Sequence, residues 1–191
     1  MKNIDKNNLI VFDLDGTLWI ENSHIYLVDN YYRIYGIKKV FMRFFGRLFP
    51  KKNMEILNIL FNKIPDAYIE SFSPTYNLNI VDKMKEYKKN GWDVMIITNA
   101  PEKIVNLAKQ IFKVEVKQAR ISCKSNLLND IDYKNLKVVT DNITDMDLIM
   151  QADDSIVLLD KKNEKYFNKN KLEKATFIYK DKCLKGKKID D

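Results

Sequence analysis

Two carboxylates two residues apart, Asp13 and Asp15, followed at once by Gly16 and Thr17, are the residues of this chain whose types and spacing most directly suit chemistry. They come straight after Leu9-Ile10-Val11-Phe12, an apolar run of β-forming residues that reads as a buried strand. Acids at the end of such a strand need a cation or strong donors close by, because uncompensated buried charge is costly. Gly16 allows a sharp exit turn, and Thr17 can hydrogen-bond back into it. The stretch therefore asks for a metal and a phosphate.

Two later clusters have the same character. The apolar segment Trp92–Ile97 runs into Thr98-Asn99-Ala100-Pro101, with Pro101 placed to start a helix carrying Ile104, Leu107, Ala108 and Ile111. Leu136-Lys137-Val138-Val139 delivers Thr140-Asp141-Asn142-Ile143-Thr144-Asp145, and Ser155–Leu159 and Ala175–Tyr179 read as further strands. Strands alternating with helices predict an α/β fold built on a doubly wound parallel sheet. In such a sheet the clusters at Asp13, Thr98 and Asp141 share one rim, beyond the carboxyl ends of the strands, where ligands bind.

The segment 21–73 interrupts this alternation. Helical spacing recurs over Ile25–Tyr35 up to Gly36, over Lys38–Phe49 up to Pro50, and over Met54–Phe61 before Pro65, and Ala67–Phe72 suits a short fourth helix. Helices without an intervening strand predict a small all-helical insertion at 21–73, with residues 1–20 and 74–191 forming the α/β core.

The ordered set Asp13-Leu14-Asp15-Gly16-Thr17-Leu18, Thr98-Asn99 and Thr140-Asp141-Asn142-Ile143-Thr144-Asp145 resembles the first, second and fourth motifs of the haloacid dehalogenase (HAD) superfamily. The similarity is nearest to its phosphoserine-phosphatase-like branch, which also carries a helical cap between the first and second motifs. The resemblance spans Leu9 to about Tyr179 and implies a Rossmann-like core, Mg²⁺ as cofactor and a small phosphorylated substrate. It also implies a third-motif lysine that offsets the charge of nucleophile and phosphate. Lys124, in Ser122-Cys123-Lys124-Ser125, is the first choice, and Lys137, Lys134 and Lys117 stay open because the segment before Asp141 is shorter than is usual in this branch.

Phosphoryl transfer needs an in-line nucleophile, a cation to screen phosphate oxygens and a proton carrier for the leaving group. Asp13 suits the nucleophile, forming an aspartyl-phosphate, and Asp15 suits general acid and then base. Oxygen ligands for Mg²⁺ are expected from the Asp13 carboxylate, the Asp15 backbone carbonyl and the Asp141 carboxylate. Asp145 is expected to hold a ligating water or the site lysine. Thr98 and the backbone N–H of Asn99 are expected to bind phosphate, helped by the helix beginning at Pro101. The reading is a Mg²⁺-dependent phosphatase whose cap closes over the site. The alternatives are a phosphotransferase or mutase using the same intermediate, and a non-catalytic binding or scaffold protein on the same fold.

The remaining signals are weaker. His24 is the lone histidine and reads as structural or exposed. The Phe41, Phe44, Phe45 and Leu48 face is expected to pack the cap; its rival, with Arg43 and Arg47 beside it, is a weak contact with an anionic membrane surface. Cys123 and Cys183 form no CxxC pair, so free thiols are expected. The formal charge of +7 is spread over lysines without a dense basic tract, so nucleic acid is not an expected partner. No stretch approaches the ~20 apolar residues of a membrane span, and Met1–Lys6 lacks the apolar centre of a signal peptide, so a cytoplasmic protein is expected. Nothing in the pattern sets an oligomeric state.

Overall fold

The apolar runs become the strands of a six-stranded sheet in a computed structural model that describes residues 7–170 and 172–180. The expectations for Met1–Lys6, Cys183 and the polar tail beyond Lys180 lie outside the described residues. Along the chain β1 (Leu9–Phe12) is followed by the helices α1 (Ser23–Tyr31), α2 (Ile37–Leu48), α3 (Pro50–Asn62) and α4 (Asp66–Glu70). Then come α5 (Leu78–Lys89), β2 (Asp93–Thr98), α6 (Glu102–Phe112), β3 (Glu115–Gln118) and β4 (Leu136–Thr140). The series closes with α7 (Met146–Gln151), β5 (Asp154–Leu159), α8 (Glu164–Lys169) and β6 (Ala175–Tyr179).

All strand pairs are parallel and the order is β3-β2-β1-β4-β5-β6. Strand order therefore reverses between β1 and β4, the place where doubly wound sheets bind ligands. Every residue of β1 is buried, which is why its sequence is an unbroken apolar run with no alternation. Val11, Met95, Ile97, Val138, Val157 and Leu159 pack together with Leu148 and Phe167 from the helices. In register, Phe12 stands opposite Ile96 on β2 and Val139 on β4, so the three strands end within two residues of one another.

The chain divides into two units, 1–20 with 75–191, and 21–74. The insertion leaves and rejoins the core side by side: Ile20 N–H donates to the Thr75 carbonyl at 2.8 Å, and Asn77 N–H to Leu18 at 2.9 Å. Within the helical unit α3 packs against both α1 and α2. Its buried residues include Leu27, Val28, Leu57, Phe61, Ile64 and Ile69. His24 is buried there too, edge-on to Phe61 at 5.0 Å between ring centres.

Two expectations for this unit need correcting. The helical spacing was expected to run to Tyr35, but α1 stops at Tyr31. Tyr32 N–H bonds back to Val28, Ile34 N–H reaches Asp29, and Arg33 turns to φ +51°, so the chain reverses before Gly36. The aromatic face of α2 was expected to pack the unit, yet α2 has no buried residue. It meets α3 through its other side, at Gly46, where a Cβ would come within 2.9 Å of the Asn53 side chain. Phe41, Phe44 and Leu48 point to solvent, and Phe45 is half-buried, tilted against Phe49.

Candidate active site

Asp13 is the residue after β1, and its N–H still donates to Val139 on β4 at 2.9 Å, so its backbone is held as part of the sheet. Its carboxylate receives a hydrogen bond from Lys124 Nζ at 2.6 Å, and the same ammonium donates to Asp145 Oδ2 at 2.7 Å. Thr140 Oγ1 donates to that Asp145 oxygen as well, at 2.7 Å. Lys124 is 0% exposed, which for a lysine is tolerable only because two carboxylates surround it. The lysine sits before the 3-10 turn Ser125–Leu128, which is anchored by buried Leu128 and by Ser125 N–H donating to Asp147 Oδ2 at 2.7 Å.

The electrostatics follow from that burial. Burial alone would push Lys124 down, but Asp13 and Asp145 outweigh it and hold the ammonium above its ordinary value. Burial pushes Asp13 up to about 6 against the opposing pull of Lys124, which still leaves it ionised at neutral pH. Burial likewise pushes the Asp145 carboxyl above its ordinary range, with Lys124 and Thr140 opposing.

Asp141, one residue past β4, is the next group along the rim. Thr17 Oγ1 donates to its Oδ1 at 3.0 Å, and Lys180 Nζ lies 2.6 Å from its Oδ2. Its main chain is fixed by Asn163, whose Nδ2 donates to the Asp141 carbonyl at 2.6 Å and to Leu158 at 2.8 Å. Gly16, at φ +79°, permits this approach: any Cβ there would run into the Asp141 carboxylate. The Asp15 turn is thereby pressed against the tip of β4, and Thr17, expected to bond back into its own turn, gives its hydroxyl to Asp141. Burial raises the Asp141 carboxyl above its ordinary range and the nearby Asp13 charge raises it further, while Lys180 and Thr17 oppose.

At the tip of β2, Thr98 is buried and its oxygen accepts from Ala100 N–H at 3.1 Å, leaving the hydroxyl hydrogen to point elsewhere. The Asn99 side-chain amide Nδ2 donates to the Ala119 carbonyl at 3.1 Å, which fixes the side chain beside β3. Of the other lysines considered, Lys137 pairs with Asp154 at 2.7 Å, Lys117 with Glu115 at 3.4 Å, and Lys134 is exposed. The structure thus brings Asp13, Lys124 and Asp145 together and sets Asp141 beside Asp15-Gly16-Thr17. Asn163, Asp147 and Lys180 were not foreseen: each acts on a residue distant in sequence, and no local pattern marks an amide or a lysine for that purpose.

Among the described residues no group of three or more His, Cys, Asp or Glu side chains is placed to hold a metal ion. A cation here would instead meet two carboxylates, Asp13 and Asp141, whose like charges raise the Asp141 pKa. Two carboxylates and a backbone carbonyl, with water and phosphate oxygens completing the shell, are all hard oxygen donors of the kind Mg²⁺ takes beside phosphates, so the donor set fits it.

The fold is that of the HAD-type hydrolases, an α/β sheet with its acids at the β1 and β4 tips and helices inserted after β1. No family model and no curated protein matches the sequence. Solved structures do match. A Bordetella pertussis Tohama I protein of unknown function is 14% identical, with 91% of this chain and 98% of that chain covered and a TM-score of 0.68. A substrate-bound phosphoserine phosphatase is 18% identical over 91% of this chain and 92% of its own, at a TM-score of 0.65. A phosphoserine phosphatase with a phospho-aspartyl intermediate analogue is 19% identical over 91% and 93%, at 0.60. At such identities the likeness speaks for the fold.

Proposed function

We propose that this chain is a Mg²⁺-dependent phosphatase that hydrolyses a phosphate monoester through an aspartyl-phosphate on Asp13. The observation that carries the reading is the buried Lys124 ammonium, 2.6 Å from Asp13 and 2.7 Å from Asp145. It keeps Asp13 ionised in a buried place and orients its carboxylate, leaving the second oxygen for attack. The related fold that carries a phospho-aspartyl intermediate analogue supports the same chemistry.

In this mechanism Thr98 and the Asn99 backbone N–H bind the transferring phosphoryl oxygens, with Lys124 supplying positive charge. Asp13 attacks phosphorus in line as the P–O bond to the leaving group breaks, and Asp15 gives its proton to the departing alkoxide. Asp15, now a carboxylate, takes a proton from water as that water attacks the phosphorus, which frees Asp13 and inorganic phosphate. Mg²⁺, held by Asp13, Asp141 and the Asp15 carbonyl, would screen the phosphate charge. Asp145 keeps Lys124 in place, and Asn163 keeps Asp141 in place.

The test is phosphate release from a panel of phosphorylated sugars, amino acids, nucleotides and lipids with Mg²⁺. Turnover of at least one class is expected, and Asp13→Asn should lower it on the order of a thousandfold or more. A folded Asp13→Asn protein that retained turnover would overturn the mechanism.

A further inference from the structure

The helix α2 presents the most strongly amphipathic surface of the described chain, and it presents it outward. At about 100° per residue, Ile37, Val40, Phe41, Phe44 and Leu48 fall in a stripe about 100° wide. Ile37 is 89% exposed, Phe41 67% and Phe44 60%. Isolated exposed apolar residues are ordinary, but a contiguous stripe of this kind marks an interaction surface. The opposite side is already used, because Gly46 lies against Asn53 of α3.

The charges around the stripe select its partner. Arg43 and Arg47 border it along one edge and Lys38 along the other, and Lys51 and Lys52 follow at the start of α3. Lys39, on the inner side, is taken by Asp29 at 2.6 Å. Between Asp29 and Glu55 there is no acidic residue, while Arg33, Arg43 and Arg47 are three of the four arginines in the chain. A second copy docking through the same stripe would bring these cations against their own duplicates with no acid in the segment to pair them. Among the described residues no helix is long and apolar enough to cross a membrane. An apolar stripe bordered by cations instead suits a helix lying in the plane of a bilayer, its aromatic side chains among the acyl chains and its cations at lipid phosphates.

We propose that the outer face of α2 docks this protein on an anionic membrane surface. The partner is the bilayer itself, recognised through negative headgroup charge and the hydrocarbon beneath it. This goes beyond the phosphatase reading and does not depend on it, since no residue of the stripe belongs to the Asp13 site.

Co-sedimentation of the full chain with vesicles tests it, using phosphatidylcholine alone and phosphatidylcholine mixed with phosphatidylglycerol. Binding is expected only to the mixed vesicles and should weaken as salt rises from about 50 to about 500 mM. At about fivefold per cation, Arg43→Gln with Arg47→Gln should reduce the partition coefficient roughly twentyfold. Phe41→Ser with Phe44→Ser should reduce it more than tenfold, and a Phe44→Trp variant should be quenched by lipids brominated in the acyl chain. Absence of binding to the mixed vesicles overturns the proposal, as does binding that the Phe and Arg variants leave unchanged. A concentration-dependent dimer in analytical ultracentrifugation that Phe44→Ser dissolves would assign the face to a second copy and equally overturn it.

Discussion

The rim of the sheet and the outer face of α2 invert the usual placement of residues. At the rim a lysine is fully buried; on α2 phenylalanines are more than half exposed. Lys124 is accounted for by its surroundings, with two carboxylates at 2.6 and 2.7 Å and a threonine completing the group. Phe41 and Phe44 have no such account among the described residues. The difference teaches that an anomalous residue with its partners present belongs to the internal machinery, and that one without them points outside the molecule.

The comparison can be broken most decisively at the rim. Besides the loss of turnover expected of Asp13→Asn, Lys124→Met should leave two buried carboxylates facing each other and destabilise the core by about 3–5 kcal/mol, measured by urea unfolding. An unchanged midpoint would mean that the lysine is not held as described. A smaller effect is expected at Asp141, where Lys180 occupies one carboxylate oxygen at 2.6 Å. Lys180→Met should tighten Mg²⁺ binding several-fold by isothermal titration calorimetry. Weaker binding would instead make Lys180 a helper of the site.

In the helical unit the effects are gentler. Burial holds the His24 pKa below 6.5, with a hydrogen bond to the Leu57 backbone opposing. The folded protein therefore keeps His24 neutral while the unfolded chain takes up a proton, so stability is complete above about pH 6.5 and declines as pH falls through the folded value. Hydrogen exchange of α1 and α3 amides between pH 7 and pH 5 should show that decline, and His24→Leu should remove this slope whatever it does to absolute stability. The smallest effect is expected on α2. Phe44→Ser should change the unfolding free energy by no more than about 0.5 kcal/mol, because little of the side chain is buried. A loss of several kcal/mol would show that the stripe packs within the protein and would erase the contrast with the rim.

Much of the rim was legible in the residues. Leu9–Phe12, Trp92–Ile97 and Leu136–Val139 read as buried parallel strands because each is mostly apolar without regular alternation. Once strands are parallel, the polar residues that follow them must share one edge, which places Asp13, Thr98 and Asp141 together before any coordinate is known. Gly16 is legible in part. Its type suggested a turn, but the reason no other residue fits, the Asp141 carboxylate beside it, lies on another strand.

What the sequence by itself determined is therefore whatever depends on neighbours along the chain: the strand positions, the acids at their tips and the helical character of 21–73. The choice of Lys124 among four candidate lysines, the anchoring of Asp141 by Asn163 and the outward turn of the α2 stripe were decided only in three dimensions. The physical reason is the same in each case. An ion pair, a carbonyl waiting for a donor, and a face left uncovered are set by which elements meet, and Lys124 meets Asp13 across 111 positions of chain.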